Sequence, residues 1–307
     1  MRCAEHRKVV GHLFLGLNSA MDYLNVVILA VIQGFAELLP VSSSAHVIFA
    51  EHLLKLDASK PEMTFLLVML HTGTMFAVLY YFWSRWKNLF ANKEQSKNFI
   101  RSIVIATGVT GVLGLGLKIV IEKIILEHLM GYQKGEVEQL FNVLPLVASS
   151  LFAVGIFITI AGLKKSPKNL PVERTTFTDQ DSAMIGFVQG LCLPFRGFSR
   201  SGATISTALL RGLERARAED FSFALAVVLT PAVILLELKR LLATRSELSE
   251  PLSSLILPNF VGMVVSFIAG LIALKWLSSW LEKGRWHYFG YYCLIFSAVV
   301  FAQHFMQ

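Results

Sequence analysis

Two short polar motifs contain the residue types that handle phosphate. The first places Glu37, three consecutive serines and His46 within ten residues, and the second runs from Gly197 to Gly202 around Arg200. A guanidinium binds phosphate oxygens with two parallel hydrogen bonds, whereas serine or histidine can attack phosphorus or relay protons. The combination indicates phosphoryl chemistry.

Both motifs interrupt stretches that are apolar enough to lie in a bilayer. Hydrophobic residues make up 54% of the 307-residue chain and charged residues only 16%, and the mean hydropathy is +0.59. This composition is typical of an integral membrane protein, in which ionisable groups at depth mark functional sites. The net charge of +7 comes from basic residues in short loops between apolar spans, so it indicates membrane orientation and no nucleic-acid partner.

The apolar spans predict an all-α polytopic membrane bundle. Each of six spans is long enough to cross a bilayer: 64–83, 102–126, 142–163, 221–240, 258–281 and 287–305. Two further apolar regions, 24–54 and 183–213, are broken at their centres by Pro40 and Pro194. Each of these two regions is predicted to form a re-entrant hairpin of two half-helices.

The chain resembles itself at an offset of 156 residues, which places Gln33 on Gln189 and Ser43 on Ser199. This self-similarity predicts a duplicated unit, with repeat 1 at about 24–163 and repeat 2 at about 183–305. One hairpin and three crossings per unit would make the repeats inverted, so that both hairpins meet near the midplane. Eight ordinary helices are the alternative.

The distribution of charge among the loops predicts the orientation. Basic residues concentrate in four segments that fall on one side of the six-crossing arrangement, at 84–101, 164–182, 211–217 and 283–285. The positive-inside rule makes that side cytoplasmic. Residues 1–20 are interpreted as an N-terminal extension, or as a mis-assigned start with Met21 as the initiator, and residues 21–307 as a single membrane domain.

Capping of a half-helix explains at least one of the serines at 42–44, but it does not explain Arg200. An unpaired guanidinium at that depth costs several kcal/mol, so an anionic ligand is its natural partner. Exposed amides at the starts of the half-helices would add donors for the same anion. Phosphate binding where the two hairpins meet is therefore favoured over a purely structural polar cluster.

At these residues the chain resembles the undecaprenyl-diphosphate phosphatases, also called bacitracin-resistance proteins. In the first family motif a Glu or Gln is separated by three residues from a Glu, which matches Gln33 and Glu37 and is followed at the family's spacing by Pro-Val-Ser-Ser-Ser-Ala-His. The second signature, Gly-Phe-Ser-Arg-Ser-Gly-Ala-Thr, is intact from Gly197 to Thr204. The resemblance extends from about Met21 to the C terminus.

The resemblance implies hydrolysis of undecaprenyl diphosphate to undecaprenyl phosphate and inorganic phosphate. This reaction recycles the lipid carrier for peptidoglycan and other envelope polymers and confers bacitracin resistance. The family also implies a bacterial inner-membrane location, dependence on a divalent cation such as Mg²⁺ or Ca²⁺, and a homodimer. The substrate is a polyprenyl diphosphate within membrane lipid.

Transferred by position, the family roles give four catalytic candidates. Glu37 would hold the metal or position water, and His46 would act as base or acid. Ser43 is the candidate nucleophile, and Arg200 would grip the diphosphate. Either a phosphoserine forms, or His46 activates water or attacks directly. The hydrogen-bonding shell around the substrate would comprise Gln33, Ser42, Ser44, Ser199, Ser201 and Thr204.

Two departures from the family pattern matter, Arg196 and Ala45, and one histidine outside both motifs is weighed separately. Arg196 stands where the family usually has Pro, and it would either add a second phosphate contact or snorkel away from the site. Ala45 replaces the commoner Gly before the histidine and restricts the turn. His71 has no charged neighbour nearby in sequence, and a hydrogen-bonded structural role is predicted for it.

Two other classes of function compete with hydrolysis. Inverted repeats with broken helices at the midplane are also a transporter design, so a carrier or flippase is the main rival. A binding site alone would need the arginine and the helix termini, but not a glutamate, serine and histidine together. A non-catalytic membrane scaffold is the third class, and it predicts that substitutions of all these polar residues are silent.

Overall fold

The computed structural model describes residues 23–57, 60–129, 143–164, 174–244, 248 and 251–305. The predicted N-terminal extension lies outside these residues. The described part folds into α-helices without a strand, apart from one isolated bridge between Arg174 and Leu213. In chain order the helices are α1 (Tyr23–Leu38), α2 (Ser43–Leu53), α3 (Pro61–Ala91), α4 (Lys93–Ile119), α5 (Leu144–Leu163), α6 (Asp179–Cys192), α7 (Arg200–Leu210), α8 (Arg215–Ala243), α9 (Leu252–Glu282) and α10 (His287–Phe305).

Six of the described helices are long and apolar enough to cross a membrane, namely α3, α4, α5, α8, α9 and α10. The six predicted spans and the all-α class are confirmed. Helix α3 runs well past the predicted end at 83, because its polar last turns still bury Trp86 and Leu89 against the core. Helix α4 continues as a π-helical segment, Val120–Leu129.

Both predicted helix breaks are present. Helix α1 ends two residues before Pro40, and α6 ends two residues before Pro194. Helix α6 starts at Asp179, before the predicted 183, because Thr178 and Asp181 form a reciprocal capping box at its N-terminus. The location of both bends inside a membrane stays a prediction.

The packing of the helices follows the same pattern in the two predicted repeats. Helix α1 packs against α9, α6 packs against α4, and α5 packs against α10. The matched glycines of the repeats lie at these contacts, where a Cβ on Gly34 would lie 2.5 Å from Ala269 Cβ and a Cβ on Gly190 would lie 3.0 Å from Leu113 Cβ. The duplication and its boundaries stay predictions.

The basic segments meet at one end of the bundle. Arg101 pairs with Asp179, Lys164 Nζ donates to the Leu210 carbonyl at 3.3 Å, and Arg215 donates to the Glu282 carbonyl at 3.3 Å. Their predicted placement on one side is confirmed. The assignment of that side to the cytoplasm stays a prediction.

Candidate active site

The two helix breaks bring the central residues of both motifs together. Glu37 lies one residue before the end of α1, Ser43 is the first residue of α2, and Arg200 is the first residue of α7. Helices α1 and α2 belong to the first predicted repeat and α7 to the second, so the site is assembled from both halves of the chain.

The Glu37 carboxylate is the centre of this cluster. Its Oε1 accepts a hydrogen bond from Arg200 Nη2 at 3.0 Å, and its Oε2 accepts one from Ser43 Oγ at 2.6 Å. The buried Gln33 side chain donates to the same Oε2 at 3.2 Å. A serine hydroxyl within hydrogen-bond distance of a carboxylate has the geometry of a nucleophile and its general base.

The pairing with Glu37 corrects one step of the sequence argument. The sequence predicts an anionic ligand as the partner of Arg200, but the Glu37 carboxylate already neutralises the positive charge of its guanidinium. The case for a ligand therefore depends on the cavity beside this pair and no longer on an unpaired charge.

His71 on α3 lies at the site, beside Glu37, and the hydrogen-bonded structural role predicted for it stays a prediction. Its Nε2 is 3.8 Å from Glu37 Oε2, and its Nδ1 lies 2.8 Å from the Leu67 carbonyl oxygen of its own helix. The sequence contains no local signal for this contact, because the charged neighbour of His71 belongs to another helix.

The His46 side chain contacts α10 and not the Glu37 cluster. Its Nδ1 lies 2.8 Å from the Ser42 carbonyl oxygen, and its Nε2 lies 2.7 Å from the hydroxyl of Tyr292 on α10. The imidazole stacks on Phe296 with ring centroids 4.1 Å apart. The structure thus joins His46 to α10 and does not bring it to Glu37, so its predicted role as acid or base stays a prediction that this geometry does not favour.

The serines around the breaks have distinct positions. Ser42 caps α2, as expected for at least one of them, and has a left-handed φ of 69°. Ser199 caps α7 by accepting a hydrogen bond from the Gly202 amide at 3.2 Å. Gly197 has φ +100°, and a Cβ there would lie 2.3 Å from the Val147 carbonyl oxygen, so the second turn requires glycine.

A cavity of about 570 Å³ adjoins the cluster. Polar side chains of both motifs line it: Gln33, Glu37, Ser42, Ser43, Ser44, Ser199, Arg200 and Ser201, together with His71. His46 and Thr204 are absent from this lining. Thr204 Oγ1 instead donates to the Arg200 carbonyl at 2.9 Å and lies 2.6 Å from Ser222 Oγ, which places it on the face of α7 that packs against α8.

The wall of the cavity includes residues from two helix ends far from the basic loops. Thr64 lies in the first turns of α3, and Glu237 and Arg240 lie near the end of α8. Apolar side chains such as Leu67, Val233 and Leu236 complete this part of the wall. The cavity therefore combines a charged floor with a wall that is partly apolar and partly charged.

A divalent cation fits this site if phosphate oxygens supply part of its coordination. The described residues contain no group of three or more histidine, cysteine, aspartate or glutamate side chains that could hold a metal ion. The hard oxygens of Glu37, Gln33 and Ser43 suit Mg²⁺ or Ca²⁺, and Mg²⁺ commonly binds through one or two carboxylates plus substrate phosphates and water. The residues present thus fit a metal whose coordination a phosphate ligand completes.

The fold and the site define a multi-pass membrane protein with a hydroxyl, a carboxylate and a guanidinium at the floor of a polar cavity. The chain belongs to the bacitracin resistance protein BacA family, whose model matches residues 26–299.

The relatives agree with this assignment over nearly their whole length. The chain is 54% identical over 289 residues to undecaprenyl-diphosphatase 2 of Acinetobacter baylyi, covering 92% of this chain and 99% of that protein. It is 30% identical to undecaprenyl-diphosphatase 2 of Halalkalibacterium halodurans, with 92% and 96% covered, and 30% identical to undecaprenyl-diphosphatase of Rhodopirellula baltica, with 89% and 95% covered.

Proposed function

We propose that this protein hydrolyses undecaprenyl diphosphate to undecaprenyl phosphate and inorganic phosphate. The contact of Ser43 Oγ with Glu37 Oε2 at 2.6 Å, with Arg200 on the other carboxylate oxygen, is the observation that carries the proposal. Membership of the BacA family and the names of the relatives support the reaction and the substrate. Recycling of the lipid carrier and bacitracin resistance follow from that activity.

In the first step Ser43 attacks the terminal phosphorus of the diphosphate. The bond from Ser43 Oγ to phosphorus forms while the bridging phosphorus–oxygen bond breaks, and the prenyl phosphate departs. Glu37 takes the hydroxyl proton and can pass it to the departing oxygen. Arg200 lies where it can neutralise charge on the transferred group, which is the main electrostatic requirement of phosphoryl transfer.

In the second step water attacks the phosphoserine. Glu37 accepts a proton from the water, the bond between phosphorus and Ser43 Oγ breaks, and Ser43 regains a proton from Glu37. Inorganic phosphate leaves, and the site returns to its starting state. Gln33, which donates to Glu37, fixes the orientation of the carboxylate in both steps.

The proposed metal would be held by Glu37 and the phosphate oxygens. When bound, a divalent cation neutralises phosphate charge. We expect removal of divalent cations with a chelator to lower phosphate release by at least tenfold, with recovery on adding Mg²⁺ or Ca²⁺. The measurement is phosphate release by purified protein, and full activity in chelator would exclude the metal.

The two histidines provide a test of where the proton chemistry takes place. We expect His71→Ala to lower kcat about tenfold, because a transition-state contact worth about 1.4 kcal/mol is lost beside Glu37. His46→Ala should lower kcat less, since His46 contacts Tyr292 and Phe296. A two-decade loss for His46→Ala with normal activity for His71→Ala would return the role of base to His46.

The proposed setting is the bacterial cytoplasmic membrane, in which the protein would act as a homodimer. Six membrane-spanning helices support the multi-pass arrangement. The cavity wall formed by the helix ends opposite the basic loops supports a substrate headgroup that enters from the non-cytoplasmic side. Thiol labelling of single-cysteine variants near Ser199 with a membrane-impermeant reagent tests that side directly.

The decisive experiment separates hydrolysis from transport. Purified protein in detergent with Mg²⁺ should release inorganic phosphate from a polyprenyl diphosphate, and the Ser43→Ala variant serves as the blank. Movement of the lipid across vesicles without phosphate release would instead establish the carrier alternative.

A further inference from the structure

The cavity contains a second arginine, Arg196, four residues before Arg200 in the turn between α6 and α7. The signature of the resembling family usually has Pro at this position, so the proposed reaction does not by itself require a cation there. Arg196 is half-buried and its side chain lines the cavity. Its role in the cavity is therefore not accounted for by the proposed reaction.

A buried carboxylate lies near this arginine. Glu51 on α2 is 4% exposed, lines the same cavity and interacts electrostatically with Arg196. Its Oε1 accepts no hydrogen bond among the described residues. Because a buried carboxylate is costly without a neighbouring cation, Glu51 favours a position of Arg196 at the cavity wall over one extended into water.

Three arginines line the cavity: Arg240 near the end of α8, and Arg196 and Arg200 four residues apart at the second break. Arg200 pairs with Glu37 at the hydroxyl of Ser43, and Glu51, further along α2, lines the cavity together with Arg196. A guanidinium has five N–H donors, more than one carboxylate can accept, so each arginine can bind its acid and an anionic ligand together. A diphosphate has two anionic groups, and one of them must lie at Ser43.

We propose that Arg196 contacts the second phosphate group of a lipid diphosphate, and that Glu51 acts as a positioning residue for Arg196. The inference rests on the proposed function for the identity of the ligand. It adds which phosphate group each arginine binds: Arg200 the terminal group at Ser43, and Arg196 the group that stays on the lipid. The prenyl monophosphate that is the product keeps the phosphate group that Arg196 contacts and lacks the one at Ser43.

The test is binding of two probes to full-length protein in detergent: a non-hydrolysable prenyl methylenebisphosphonate and a prenyl monophosphate. We expect Arg196→Gln to weaken binding of both probes about tenfold, the order of one charge-assisted hydrogen bond, and Arg200→Gln to weaken bisphosphonate binding more than monophosphate binding. Glu51→Gln should weaken both in the same direction by a smaller factor. Arg196→Lys should restore part of both affinities, because lysine keeps the charge without the planar fork.

Arg215→Gln is the matched control, since it removes the same charge at the start of α8, whose other end lines the cavity. At the start of α8, Arg215 donates to the Glu282 carbonyl. Unchanged affinities for Arg196→Gln, or a loss for the bisphosphonate alone, would overturn the assignment. Binding of both probes that depends on Arg196, by unmodified protein that releases no phosphate, would remove the hydrolytic function and leave the contact with Arg196 standing. Melting temperatures identify a variant that fails to fold, in which case the comparison uses Arg196→Lys.

Discussion

Replacement of Ser43 by alanine is expected to lower phosphate release by at least three decades. Ser43 Oγ is the hydroxyl that donates to Glu37 at 2.6 Å at the cavity floor, and removal of a nucleophile that acts together with its base abolishes most of the catalysis that depends on both. The loss should appear in kcat, because the cavity that binds the lipid is otherwise retained. Single-turnover phosphate release from a polyprenyl diphosphate is the measurement.

Ser149→Ala is the control for this substitution. Ser149 donates to the Pro145 carbonyl within α5 and does not line the cavity, so its removal should leave turnover near normal. If Ser43→Ala kept more than about a tenth of the activity, the attacking oxygen would belong to water. Glu37 would then be the base for that water.

Replacement of Arg200 by alanine is expected to lower kcat by two to three decades. A fixed cation that stabilises charge in the transition state is commonly worth a factor of about 10²–10³. Removal of Arg200 also leaves the Glu37 carboxylate without its ion-pair partner at 3.0 Å, and this raises the cost of bringing a phosphate dianion beside it. Phosphate release over a range of substrate concentrations separates the kcat effect from weaker binding.

Arg200→Lys distinguishes charge from geometry. Lysine keeps the positive charge but cannot form two parallel hydrogen bonds to phosphate, so we expect an activity between those of the unmodified protein and Arg200→Ala. Arg215→Ala, which removes a cation far from the cavity, should be near normal. Near-normal turnover for Arg200→Ala would exclude the assigned role of the guanidinium.

Local patterns in the sequence were sufficient to predict the helical elements. In the hydrocarbon of a bilayer, an apolar run long enough to cross forms a helix, because no water is there to pair its backbone groups and they are paired within the segment. The predictions of six spans and of breaks at Pro40 and Pro194 depend on this property and on the missing amide of proline. The start of α6 was misplaced because the capping box at Thr178 extends the helix beyond its apolar part.

The sequence also singled out Glu37, Ser43 and Arg200 as candidates, since such side chains in apolar surroundings are expensive unless they have a function, and the structure brings the three together. The sequence could not identify their partners. The pair between Glu37 and Arg200, the approach of His71 and the turning of His46 toward Tyr292 all join residues far apart in the chain. Sequence by itself determined where the helices break and which polar groups lie at the breaks, because helix formation depends on neighbours along the chain; tertiary structure alone decided which groups meet, because that depends on how the helices pack.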